Sequence, residues 1–259
     1  MKVVMLSRQE LYVVLAGAFQ ITDIKPNIVE LGVLRGENAV HIYNAFGPEN
    51  LVLIDAWNAN SLKGYSPFDE LPSWVNSPDA YDYYYGGSVR DQRTYDVIFE
   101  EAQDKFKGRL NVKFLRHSSI DALQHLQEET GIAKFDLIYI DANHQYEYVL
   151  RDLMRYQDFV APNGCIMLND CCHSQQGTLQ NLGVLEAVSS FIKRTDFVPV
   201  AMTNTDWSDV VLIRKGAPLA GLVDKIINNL EVSYVEVPAQ LLPSARIVYG
   251  SKRANVSFL

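Results

Sequence analysis

The chain has little cysteine, no long apolar run and no excess of positive charge, and each shortage removes a class of protein. Its three cysteines are an odd number and two of them, Cys171 and Cys172, are adjacent. No disulfide framework follows from that, and a reducing, cytoplasmic setting is expected. Nor do adjacent cysteines beside His173 have the spacing of structural zinc, and no second pair exists. The longest apolar stretch, Leu11 to Phe19, is too short to span a bilayer, so no membrane partner is expected. The opening residues Met1 to Leu6 lack the apolar region and cleavage site of a signal peptide. A net charge of -8 argues against a nucleic-acid backbone as the main partner, which needs a basic surface.

What is present is an alternation of short apolar runs and amphipathic stretches along 259 residues. Expected strands are Ile28 to Leu31, Asn50 to Asp55, Asn111 to Arg116, Phe135 to Asp141 and Cys165 to Leu168. A final pair is expected at Phe197 to Met202 and Val210 to Arg214, joined by a turn through Asn204 to Asp206. Helices are expected over 8–20, 37–46, 94–106, 120–129, 146–159, 184–194 and 222–230, and Pro162-Asn163-Gly164 reads as a turn. The pattern predicts an α/β protein with a doubly wound, mainly parallel, Rossmann-like sheet and helices on both faces. Residues 1–26 form an N-terminal helical segment that either packs on the domain or covers a substrate, residues 27–215 the main domain, and residues 216–259 an extension. That extension either completes the sheet edge or makes an oligomer contact. The segment Trp57 to Arg93 is long and dense in aromatics, including Tyr65, Phe68, Trp74, Tyr81 and Tyr83 to Tyr85. It reads either as a lid or as a surface-packed insertion. A homo-oligomer is expected.

Glu30-x-Gly32-x-x-x-Gly36 joins the first expected strand to a helix start. It is neither the G-x-G-x-x-G dinucleotide loop nor a Gly-Lys-Ser/Thr phosphate loop. Taken alone it is a tight turn or a loop that lets backbone approach a ligand, since glycine has no Cβ. Asp55, about 20 residues on by the usual spacing of such sheets, is placed to accept hydrogen bonds from ribose hydroxyls, or is a turn aspartate. Ser118 either caps a helix or touches a nucleoside. Asp141 ends one strand, and Asn169 and Asp170 end the next. These hard oxygen donors suit Mg²⁺, with helix caps as the alternative. No cationic residue is expected beside them to neutralise their charge otherwise. Ligands in such sheets bind beyond the C-terminal strand ends, where Glu30, Asp55, Ser118, Asp141, Asn169 and Asp170 all fall.

Glu30-x-Gly32-x-x-x-Gly36 resembles the first motif of class I S-adenosylmethionine-dependent methyltransferases. Ile140-Asp141-x-x-His144-x-Tyr146-x-x-Val149-x-x-Asp152 resembles a signature of one branch of that class. That branch holds metal-dependent O-methyltransferases of macrolide sugars and related natural products, and the cephalosporin 7-methoxylation protein. The resemblance implies binding of S-adenosylmethionine through Glu30, Gly32, Gly36, Asp55, Ser118 and Asp141. It implies Mg²⁺ on Asp141, Asn169 and Asp170, and His144 with Asp141 as the catalytic pair acting on a small-molecule hydroxyl. Asn169 departs from the acidic pair of the branch, although catechol O-methyltransferase also carries one asparagine in its metal set. His144 is either the general base or a structural histidine bonding its loop. The rival functions are a non-catalytic S-adenosylmethionine-binding helper protein and an NAD-dependent enzyme, the latter disfavoured by Glu30.

Overall fold

The computed structural model describes residues 1–62, 76–205 and 207–259. In chain order the elements begin with β1 (Lys2–Val4), α1 (Arg8–Ile21), β2 (Asn27–Leu31), α2 (Glu37–Phe46) and β3 (Asn50–Asp55). They continue with α3 (Asp82–Tyr85), α4 (Gln92–Lys105), β4 (Val112–Arg116), α5 (Ser119–Thr130), β5 (Phe135–Ile140) and α6 (Tyr146–Tyr156). Next come β6 (Val160–Leu168), α7 (Gln175–Leu179), α8 (Val184–Ile192), β7 (Phe197–Thr203) and β8 (Val210–Arg214). The chain closes with α9 (Pro218–Asn229), β9 (Tyr234–Glu236), β10 (Arg246–Tyr249) and β11 (Ala254–Ser257).

Among the described residues one sheet has the order β4-β3-β2-β5-β6-β8-β7-β1-β9, and β10 and β11 form a separate hairpin. Strands β4 to β6 in that order are parallel, β8 runs antiparallel between β6 and β7, and β1 is parallel to β7. The central strands are nearly continuous apolar runs because both faces are covered. Alternation then divides them. Val29, Leu31, Val52, Ile54, Ile138 and Ile140 face the layer of α5, α6 and α8. Ile28, Leu51, Leu53, Leu137 and Tyr139 face α1, α2, α4 and α9. Each such side chain contributes about 1.5–3 kcal/mol on burial, so the sheet is held from both sides and its strand ends are fixed.

Several boundaries differ from the sequence expectation. Pro162-Asn163-Gly164 is not a turn between elements but lies inside β6. The β5–β6 register passes from Phe135↔Val160 to Leu137↔Cys165, a bulge that absorbs the extra residues. Proline is tolerated there because a bulge does not need its missing N–H. Lys2–Val4, expected to belong to an N-terminal helical segment, is instead strand β1, which extends the sheet beyond β7. α4 starts at Gln92 because Asp91 caps it, accepting from the Arg93 N–H at 2.9 Å. α9 starts four residues early, at Pro218, since proline suits the first turn.

β9 pairs antiparallel with β1, so this part of the extension completes the sheet edge. The hairpin reaches the loop after β6: the His173 N–H donates to the Ala245 carbonyl (2.9 Å), and the Ile247 N–H to the His173 carbonyl (2.8 Å). Of the aromatic insertion, Tyr65, Phe68 and Trp74 lie outside the described residues, as does Asp206 of the expected turn. In its described part Tyr83 is 98 % and Tyr84 65 % exposed, while Tyr85 stacks edge-on against Tyr95. No helix among the described residues is long and apolar enough to cross a membrane.

Candidate active site

The carboxyl ends of β2, β3, β5 and β6 meet at one edge of the sheet, where the chain repeatedly adopts left-handed backbone. Gly32, Leu34, Gly36, Trp57 and Asp170 all have φ between 38° and 83° there. Three of these are not glycine, and such conformations persist only where surrounding contacts over-determine them. Gly32 is obligatory for a further reason: a Cβ would lie 2.1 Å from the Asp141 carbonyl oxygen. The glycine loop therefore packs directly on the start of the Asp141 loop, and the Asp141 N–H donates to the Leu31 carbonyl at 2.8 Å.

Asp55 is the staple of this region. Its Oδ2 accepts the N–H groups of Val33 and Leu34, both at 2.9 Å, and its Oδ1 accepts the Trp57 N–H at 2.9 Å. The Trp57 indole in turn donates to the Leu34 carbonyl at 2.8 Å. Expected as a ribose acceptor, Asp55 thus holds two loops by three charge-assisted bonds, which leaves Oδ1 one accepting site on a partly exposed residue.

Glu30 is fully buried. Burial pushes its carboxyl up to about 8, against the Asn38 amide that donates to Oε1 at 2.8 Å. Asn38 also accepts from the Tyr12 hydroxyl at 2.8 Å, tying α1 and α2 to this strand end. Glu30 Oε2 has no partner among the described residues, an uncommon state for a buried carboxylate oxygen. Gly36 opens α2 with no side-chain cap. Ser118 caps α5, accepting from the Asp121 N–H at 3.2 Å and donating to the Asp121 carboxylate at 2.6 Å.

The ends of β5 and β6 bring Asp141, Asn169 and Asp170 together, with His144 between them. His144 Nε2 is 3.0 Å from Asp141 Oδ1 and 3.7 Å from Asp170 Oδ2. Burial opposes the imidazolium, but Asp170 and then Asp141 outweigh it and lift the histidine to about 9. The loop is fixed from behind. The Gly183 N–H donates to the His144 carbonyl at 2.8 Å, and a Cβ on Gly183 would lie 2.7 Å from Tyr146 Cβ. Of the rest of the signature, Val149 lies in the core, and Asp152 accepts the Ser119 hydroxyl at 2.8 Å, joining α6 to α5. Gln145, at the N-cap position of α6 without a side-chain cap bond, is buried, and neither amide atom has a partner among the described residues.

Sequence reasoning missed the charge beside this cluster. Arg8, the first residue of α1, reaches the strand ends. Its Nε donates to Asp209 Oδ1 at 2.9 Å, its Nη2 donates to Asn169 Oδ1, and its Nη1 stands 3.9 Å from Asp141 Oδ2. The expectation that no cation neutralises these acids is therefore wrong. Asn169 completes the chain by donating from Nδ2 to Asp141 Oδ1 at 3.3 Å. Asp209 also accepts the Tyr139 hydroxyl at 3.0 Å, and burial lifts its carboxyl to about 7 despite Arg8. Burial works against the charge on Arg8, yet Tyr139, Asp209 and Asp141 around it hold its pKa above the usual value. Nothing local marks Arg8 or Asp209 in sequence, because they lie 201 residues apart and meet only through the sheet.

The donor set as it stands does not fit Mg²⁺. The ion wants oxygen lone pairs in a near-ideal octahedron. Asn169 Oδ1 faces a guanidinium, and Asp141 is shared among His144, Asn169 and Arg8. Among the described residues no group of three or more histidine, cysteine, aspartate or glutamate side chains is arranged to hold a metal. S-adenosylmethionine is another matter, since Glu30 Oε2, buried beside the glycine loop, is a polar atom without a partner among the described residues.

Residues 29–171, more than half of the chain, match the family model described as a methyltransferase domain. The chain belongs to that family. Its fold is that of S-adenosylmethionine-dependent O-methyltransferases. One similar structure is a Staphylococcus aureus protein provisionally assigned as a caffeoyl-CoA O-methyltransferase. It has 12 % identity and a TM-score of 0.52, over 82 % of this chain and 86 % of that one. Another is the O-methyltransferase TomG from Streptomyces achromogenes, involved in tomaymycin synthesis and solved with S-adenosylmethionine. It has 13 % identity and a TM-score of 0.51, over 82 % of each chain. No curated protein sequence matches.

Proposed function

We propose that this methyltransferase moves the methyl group of S-adenosylmethionine to a hydroxyl of a small molecule, a sugar or related natural product. The observation that carries the reading is the placement of the Asp141–His144 pair at the strand edge that also holds the glycine loop and Glu30. S-adenosylmethionine, when bound, supplies an electrophilic sulfonium methyl whose C–S bond electrons leave with sulfur. This chain's residues do the rest. Glu30 Oε2 and the Gly32–Gly36 loop would hold the methionine end, and the remaining accepting site on Asp55 Oδ1 a ribose hydroxyl. Because Nε2 of His144 faces two carboxylates, Nδ1 is the nitrogen able to take the proton from the acceptor hydroxyl. The acceptor oxygen forms the new C–O bond, and the products are a methyl ether, S-adenosylhomocysteine and one proton. No step passes through a metal ion.

The test is methyl transfer from labelled S-adenosylmethionine across a panel of hydroxylated sugars, phenols and polyketides. A methylated product with stoichiometric S-adenosylhomocysteine is expected. S-adenosylmethionine binding without transfer to any hydroxyl, or transfer only to nitrogen or carbon acceptors, would refute the reading.

A further inference from the structure

We propose that Arg8 is the resident cation of the transfer site and keeps Mg²⁺ out of it. Its guanidinium occupies the face of Asp141 and Asn169 that a divalent ion would need, and acts as a positioning residue for Asp141. This inference rests on the proposed methyl-transfer reading for its functional consequence, but not for its geometry.

Four observations carry it. The first is anchorage. Arg8 begins a helix fixed by a reciprocal cap: the Ser7 N–H donates to Glu10 Oε2 at 2.7 Å and the Glu10 N–H to the Ser7 hydroxyl at 3.3 Å. Tyr12, one turn on, is tied to Asn38. The guanidinium is thus delivered by a well-fixed element, and Asp209 holds its Nε from the far side. The second is polarity. Asn169 turns its oxygen to Arg8 and its nitrogen to Asp141. A guanidinium–amide–carboxylate chain requires that orientation, whereas a shared metal ion would need oxygen lone pairs from both residues at once.

The third is charge. The Arg8 guanidinium, which stays protonated at any pH a folded protein meets, stands beside Asp141 and donates to Asn169. A divalent ion entering this place would meet that fixed cation at close range. The fourth is the amide itself. Asn169 offers a single neutral oxygen, and that oxygen already accepts from Arg8, so the residue adds no negative charge to draw in a cation. That lowers the attraction for Mg²⁺.

The functional consequence is that Asp141 is oriented toward His144 by Arg8 and Asn169, and transfer proceeds without a divalent ion. Metal binding can be tested independently of transfer. Mn²⁺, a spectroscopic stand-in for Mg²⁺, is titrated into the full-length protein and followed by electron paramagnetic resonance. The wild type and Arg8→Lys should show no saturable site. Arg8→Ala should gain one, at least about tenfold tighter than any residual surface binding, and lose it again when combined with Asp141→Asn. Asn169→Asp with Arg8 in place should still show none, which keeps the test decisive if Arg8→Ala does not fold. Saturable binding by the wild type that Asp141→Asn abolishes would overturn the proposal, as would binding by Asn169→Asp. Absence of binding in a folded Arg8→Ala would also overturn it, because Arg8 would then not be what excludes the ion. Once an acceptor is in hand, transfer should be unchanged by excess chelator. Failure to find an acceptor would count against the methyl-transfer reading and leave the metal result standing.

Discussion

Asp55→Asn separates a structural role from a ribose-binding one. The carboxylate accepts three backbone N–H groups, from Val33, Leu34 and Trp57, at 2.9 Å each. An amide has one accepting oxygen, so the substitution retains either the Val33–Leu34 pair or the Trp57 bond, and points an NH₂ at the other donors. Hydrogen bonds to a charged group are worth about 1.5–3 kcal/mol each, and removing one partner exposes the desolvation cost of the donor left behind. The site is half-exposed, so water recovers part of the loss. Leu34 and Trp57 sit at φ of 49° and 38°, and each such conformation stores on the order of 1–3 kcal/mol that the staple must hold. The net loss should be about 2–4 kcal/mol of a total that is typically about 5–15 kcal/mol. At about 2–4 °C per kcal/mol for a chain of this size, Tm should fall by roughly 5–15 °C. The assay is thermal and urea unfolding without ligand, followed by calorimetric titration of S-adenosylhomocysteine into the folded variant. A variant that melts with the wild type and loses only ligand affinity would refute the staple and leave Asp55 as a pure ribose contact.

Glu30→Gln should flatten the pH dependence of stability. The folded carboxyl titrates at about 8 against an ordinary 4.5, so the unfolded chain releases its proton first. Stability should then fall as pH rises through that window, by up to about 1.4 kcal/mol per pH unit, and level off above it. Urea midpoints at several pH values that change equally in both proteins would count against it. If His144 takes the acceptor proton, its upward shift to about 9 means that kcat/KM should climb with pH and level off near that value. His144→Ala should remove the inflection and lower the rate by about 10²–10⁴-fold. A flat profile in the wild type would exclude His144 as the base. Gly183→Ala should cost about 1–3 kcal/mol by pushing the start of α6 away, since the added Cβ meets Tyr146 at 2.7 Å. An unchanged urea midpoint would show that the backbone yields without cost.

The sequence alone determined the alternation of elements and therefore the sheet, because apolar period and turn chemistry are local properties. Asn50–Asp55, Glu37–Phe46 and Val210–Arg214 fall where local pattern places them. It also placed Glu30, Asp141, Asn169 and Asp170 at one sheet edge, since parallel strands put their carboxyl ends together. The tertiary structure decided what those residues do. Whether Asp55 faces a ligand or its own loops depends on how the two loops after β2 and β3 curl, and that is set by packing of Gly32 on the Asp141 loop. Whether the acidic cluster awaits a metal depends on Arg8 and Asp209, which no spacing rule connects. They are joined by β1 adding to β7 and by β7 turning back into β8, which carries the start of the chain to the strand ends. Charge neutralisation is a through-space property, so it becomes readable only when the distances exist.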